Sequence, residues 1–104
     1  MAIKELLKEE LGNSLRMERD YRRELAKLPQ GCLVKKMVRG RAYYYVAVRE
    51  GARVRFRYLR NPDEKKIAAY SEAKRARAQY RKLLGDVQRQ IRFLRKALNA
   101  KQAV

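Results

Sequence analysis

Residues 32–59 read CLVKKMVRGRAYYYVAVREGARVRFRYL. β-Branched and aromatic residues dominate this stretch, and Arg39-Gly40 and Glu50-Gly51 interrupt it twice. Three antiparallel strands joined by two tight hairpins is its simplest reading. The parity of the second hairpin decides what each sheet face carries. Glu50 suits a two-residue type I′ turn poorly, so the expectation is a three-residue loop with Gly51 in the left-handed position. Such a loop pairs even positions with even ones, placing Tyr44, Val46 and Val48 on one face with Val54, Phe56 and Tyr58. The opposite face then carries Arg53, Arg55 and Arg57 beside Tyr43 and Tyr45. A slip of one residue would mix the two sets. The first strand's register stays open, and with it the facing of Lys35 and Lys36.

Working outward, residues 2–28 read as a helix. On a helical wheel Ile3, Leu7, Leu11, Tyr21, Leu25 and Leu28 lie within about 100° of each other. Glu10, Ser14 and Glu18 interrupt that stripe, as register markers or as partners for basic residues of the last helix. Gly12-Asn13 lies opposite and marks a kink or short break. Pro29 stops the helix, because the residue before proline is driven out of the α region. Residues 62–101 form a longer helix, with Asn61 as N-cap, Pro62 at the first helical position, and Asp63 and Glu64 where the dipole favours carboxylates. Along it Tyr80, Leu84, Val87, Ile91, Leu94 and Leu98 recur at steps of four and three, a coiled-coil seam. Ala69, Ala73 and Ala76 extend the seam toward the start of the helix. The expected fold is α+β and a single domain over residues 1–104: a long helix, a three-stranded antiparallel β-meander and a longer helix. The helices pair antiparallel as a hairpin with the small sheet at its tip.

The chain has 104 residues, and 28 Lys and Arg against 11 Asp and Glu leave a net charge of +17. So large an excess in one small domain repels itself and calls for a polyanionic partner. The charge is uneven. Residues 1–28 carry 7 − 6 = +1, residues 29–60 carry 9 − 1 = +8, and residues 61–104 carry 12 − 4 = +8. Histidine is absent and cysteine occurs once, at Cys32, so an internal disulfide is impossible and a Cys/His zinc site lacks ligands. No apolar run approaches a membrane span and the N-terminus lacks a signal-peptide pattern, so the cytoplasm is the expected compartment.

Two basic surfaces stand out. On the sheet, Arg53, Arg55 and Arg57 alternate beside Tyr43 and Tyr45, with Arg41, Arg49 and Arg60 nearby. Guanidinium forks bind phosphates bidentately and tyrosine rings stack or hydrogen-bond; the plainer role is to deter edge-to-edge strand pairing. On the last helix Lys74, Arg77, Arg81, Lys82, Arg89, Arg92, Arg95 and Lys96 fall within about 140° of each other, beside the seam. They track a phosphate backbone or pair with acids. Phe93 lies off both stripes, as a contact or a packing residue. Ser14 and Ser71 have no histidine to activate them, and no glycine-rich phosphate loop or metal-ligand cluster occurs. Cys32 reads as a small buried residue. No enzymatic activity, cofactor or metal is expected.

Leu28-Pro29, Gly31, Leu33-Val34-Lys35-Lys36, a glycine turn, Tyr43-Tyr44-Tyr45 and Arg49-Glu50-Gly51 before a strand ending in tyrosine form a pattern over about a third of the chain. In this it resembles a family of small basic bacterial and archaeal proteins with no established activity. The resemblance implies a helix–hairpin–helix layout, no catalytic residues, and relatives in defence or mobile-element settings, some beside nucleotidyltransferase-like toxins. The sheet also resembles small DNA-binding modules of some tyrosine recombinases and transposases, in shape and composition. The leading expectation is a non-enzymatic DNA- or RNA-binding protein acting through the Arg/Tyr sheet face and the basic helix face. The alternative is an antitoxin or accessory subunit that docks a protein encoded nearby, such as a toxin or nuclease, through Tyr80, Leu84, Val87, Ile91, Leu94 and Leu98. A ribosome-associated or RNA-chaperone role is a third. Helices of unequal length argue for a homo- or hetero-oligomer.

Overall fold

Two two-residue turns build the sheet. In the computed structural model, which describes residues 2–102 and the side chains of residues 2–100, the elements run α1 (Ile3–Lys27), β1 (Cys32–Val38), β2 (Arg41–Glu50), β3 (Arg53–Leu59) and α2 (Glu64–Gln102). The sheet is antiparallel in the order β1-β2-β3. This is the α+β helix–sheet–helix order read from the sequence. At the first hairpin Arg39 and Gly40 both have positive φ, the signature of a type I′ turn. At the second, Gly51 has φ +62° while Ala52 stays out of the left-handed region, which is the type II′ arrangement with glycine first.

That second turn overturns the expected register. The loop is Gly51-Ala52, two residues rather than three, so Glu50 pairs with Arg53, Val46 with Arg57 and Tyr45 with Tyr58. Even positions of β2 therefore face odd positions of β3. Arg53, Arg55 and Arg57 share a face with Tyr44, Val46 and Val48, while Tyr43 and Tyr45 share theirs with Val54, Phe56 and Tyr58. The expected three-residue loop pairs even positions with even ones; a loop one residue shorter reverses that parity. β1 pairs Leu33 with Val46 and Val34 with Tyr45, so Lys35 joins the arginine face and Lys36 the tyrosine face.

The chain divides into two compact units, one of Leu28–Arg77 and one of Met1–Lys27 with Ala78–Val104. In the first, Val46 is fully buried. Gly31 folds over it: a Cβ there would lie 2.8 Å from the Val46 Cγ1 and the Ala47 carbonyl oxygen, and 2.9 Å from the Val48 Cγ2. With φ +93° as well, Gly31 is a position for glycine alone. α2 begins beside the same end of the sheet, where Leu33 and Cys32 border a hollow of about 170 Å³ with Tyr70, Ser71 and Lys74. The helix starts two residues later than predicted. Asp63, not Asn61, is the N-cap: its Oδ1 accepts from the Lys66 amide at 2.8 Å and its carbonyl from the Ile67 amide at 3.0 Å. Asn61 instead takes φ +42° in the turn, a conformation asparagine tolerates. Cys32 is exposed rather than buried, because it opens an edge strand.

The second unit pairs α1 with the later part of α2. Tyr21 meets Tyr80 with ring centroids 6.1 Å apart. In an antiparallel pair, steps of seven from that contact bring Ser14 opposite Val87 and Leu7 opposite Leu94. Burial follows this register: Val87, Ile91, Leu94 and Leu98 are buried, and so is Ser14, whose small side chain lets the helices close at mid-length. α1 runs unbroken through Gly12-Asn13. Glu18 pairs with Arg22 of its own helix at 3.6 Å rather than with a residue of α2, and Glu10 is exposed.

Ile91→Ala should cost about 2–4 kcal/mol of stability in urea denaturation, because it opens a cavity in a two-helix core that cannot easily collapse. Asp63→Ala should cost about 1 kcal/mol by the loss of one cap, with Asn61→Ala costing less.

Candidate nucleic-acid interface

The tyrosine face of the sheet is built by alternation. Side chains two apart along a strand share a face, so β1 contributes Val34 and Lys36, β2 contributes Arg41, Tyr43, Tyr45 and Arg49, and β3 contributes Val54, Phe56 and Tyr58. Tyr45 and Tyr58 are direct cross-strand partners with ring centroids 5.5 Å apart, and Tyr43 reaches Tyr58 diagonally at 6.4 Å. Tyr43 and Tyr45 are half-buried, whereas the β3 rings are open to water. Phe56 is 61% exposed and Tyr58 50%. Exposed apolar residues are ordinary when single, and clusters such as this one make a face a candidate interaction surface. Lys36 stands directly opposite Tyr43, and Arg49 opposite Val54, so cations border the rings on two strands. Beside Tyr45 and Phe56, together with Val34, Lys35 and Lys36, lies a shallow depression of about 370 Å³.

The arginine row is a separate feature. Arg53, Arg55 and Arg57 project on the face that carries Val46, and all three are exposed. Arg55 pairs with Glu50 at 3.4 Å, and both side chains are mostly in water. β3 is an outer strand, so one of its edges is unpaired. A hollow of about 550 Å³ wraps this strand and is lined from both faces, by Val48, Glu50, Arg55 and Arg57 on one side and Phe56 and Tyr58 on the other.

The sequence-predicted site is therefore redistributed. Arg41, Tyr43, Tyr45 and Arg49 share one face; Arg53, Arg55 and Arg57 lie on the other. Phe56, Tyr58 and Lys36 were not among the predicted contacts and belong with the tyrosines; the signal for them was the Gly-Ala order of the turn. On α2, Arg81, Arg89, Arg92 and Arg95 are exposed, and Arg89 also pairs with Asp86 one turn away. Arg77 is half-buried and donates from Nη2 to the Pro29 carbonyl oxygen at 2.6 Å, which ties the turn after α1 to α2 inside the sheet unit. Phe93 is exposed. The seam expected to dock a partner is covered by α1. Val87, Ile91, Leu94 and Leu98 are buried and Tyr80 and Leu84 half-buried, so these six form the chain's own helical core.

The sheet unit, Leu28–Arg77, holds 14 Lys and Arg against 4 Asp and Glu, 14 − 4 = +10. Among its described residues Glu50–Arg55 is the one ion pair, so most of its cations lack an internal counter-charge. Chemically, this unit offers rings to planar groups and guanidinium and ammonium groups to anions. Among the described residues no three His, Cys, Asp or Glu gather as a metal site, and no helix is long and apolar enough to cross a membrane.

Residues 2–69 match the family described as Domain of unknown function (DUF6788), and the chain belongs to that family. The match takes in α1, the whole sheet and the first turns of α2, and stops before the helical seam. No curated protein and no solved structure matches the chain.

Arg77→Leu should lower stability by about 1–2 kcal/mol through its lost charge-assisted hydrogen bond. It should leave the salt dependence of any polyanion binding unchanged, which a urea titration and a salt series would read together.

Proposed function

We propose that the protein is a non-enzymatic nucleic-acid-binding protein and that the tyrosine face of its sheet is the contact surface. The observation that carries this reading is the cluster of Tyr43, Tyr45, Phe56 and Tyr58, with Phe56 and Tyr58 exposed, bordered by Lys36, Arg41 and Arg49. Exposed rings supply sequence-tolerant stacking on bases, and surrounding cations supply phosphate affinity through counterion release. A net charge of +17 supports the same partner class, because a polyanion relieves self-repulsion that the chain's own acids leave in place. The exposed stripe of Arg81, Arg92 and Arg95 gives the helical unit an independent capacity for phosphate.

The test is binding of the full chain to duplex DNA, single-stranded DNA and transfer RNA across a salt series. Micromolar or tighter affinity with a steep log–log salt slope is expected for at least one of them. Replacing Lys36, Arg41 and Arg49 together by Gln should reduce the magnitude of that slope by about 2 to 3, from three lost phosphate contacts. Weak binding to all three nucleic acids that ignores salt would refute the reading.

A further inference from the structure

We infer that the ligand of this surface is an unpaired, extended nucleic-acid strand lying along the open edge of β3, with bases against one side of that strand and phosphates against the other. The inference rests on the nucleic-acid reading above and narrows it. Its basis is the alternation Arg53-Val54-Arg55-Phe56-Arg57-Tyr58, which sends cations to one face and apolar side chains to the other. Like side chains on a strand repeat at about 6.7 Å, a step comparable to one nucleotide of an extended chain. The unpaired edge is what lets one ligand meet both sets. Arg55 and Arg57 from one face and Phe56 and Tyr58 from the other already line a single hollow around β3.

A duplex fits this surface poorly. Its bases are stacked on one another and turn only their edges outward, whereas Phe56 and Tyr58 present ring surface that pairs with the flat face of a splayed base. The Glu50 carboxylate beside Arg55 is no obstacle. Both side chains are largely in water, and such pairs are worth at most about 1 kcal/mol, so a phosphate can take the place of Glu50.

The experiment compares four fluorescent probes on the full-length protein: oligo(U), oligo(dT), a strand of the same length lacking bases, and a duplex. The expected order is intact single strands at least tenfold tighter than both the base-free strand and the duplex. Phe56→Ala with Tyr58→Ala should weaken the intact strands by roughly 30-fold or more, from two lost stacking contacts, and leave the base-free strand unaffected. Arg53→Gln, Arg55→Gln and Arg57→Gln together should cut the salt slope on single strands by about 2, at about 0.7 per contact. The Arg→Lys triple variant and Tyr58→Phe should retain wild-type slope and affinity, which separates lost contacts from lost folding.

Equal affinity for duplex and single strand, or an unchanged slope in the Gln variant, would overturn the edge-bound single strand while leaving nucleic-acid binding standing. Binding to none of the probes would remove both. A dimer in sedimentation that Phe56→Ala and Tyr58→Ala dissolve, with nucleic-acid affinity unchanged, would assign the face to a second copy of the chain and overturn the inference.

Discussion

The turn at Gly51-Ala52 fixes which side chains β3 shares with β2. With glycine at its first central position the turn is closed in two residues and follows the twist of the strands it joins. Pairing then runs odd to even, and every side chain of β3 is assigned by that one parity. Val46 gains Arg57 as its cross-strand partner, so its burial depends on Gly31 and the chain around it instead of on β3. Tyr45 gains Tyr58, and Tyr43, Tyr45, Phe56 and Tyr58 collect on one face, with Tyr44 alone on the other.

An open aromatic face on a three-stranded sheet is hazardous for a small protein, because an unpaired edge invites another strand. The arginines of β3 meet that hazard. They place three cations along the exposed edge, where a second copy would bring three more like charges. The same residues suit a ligand that is itself a polyanion. On the proposed function, deterrence of self-pairing and affinity for phosphate are one electrostatic property, and the +10 of the sheet unit would serve both.

The helical unit uses its residues differently. Its apolar seam is covered by α1, with Ser14 small enough to let the helices close and Tyr21 and Tyr80 in tilted ring contact nearer the end of α1. Cations of α2 divide by what lies within reach: half-buried Arg77 is held by the Pro29 carbonyl, while Arg81, Arg89, Arg92 and Arg95 extend into water, Arg89 beside Asp86. Charge counted along a helix therefore overstates the surface available to a ligand.

Local chemistry is what the residues alone made legible. Pro29 ends α1, periods of two and of seven separate sheet from helix, glycines mark both turns, and the excess of cations is plain from composition. These depend on steric and hydrogen-bonding preferences within a few residues of each other, so element order and boundaries could be read within about two residues. The N-cap was missed by two because Asn61, Asp63 and the proline between them offer competing caps, and only the helix geometry selects the one whose carboxylate reaches the Lys66 amide. Register parity was missed because a three-residue loop with Gly51 left-handed and the two-residue turn Gly51-Ala52 are both plausible locally, and the choice between them rests on how a whole strand is accommodated. Likewise the seam Tyr80–Leu98 was visible as a stripe, but a stripe carries no mark of whether its cover is α1 or another molecule. The sequence by itself determined the elements and the charge. Only the tertiary structure decided which face is covered and which stands open, because burial is a property of what the rest of the chain brings to a surface and not of the residues on it.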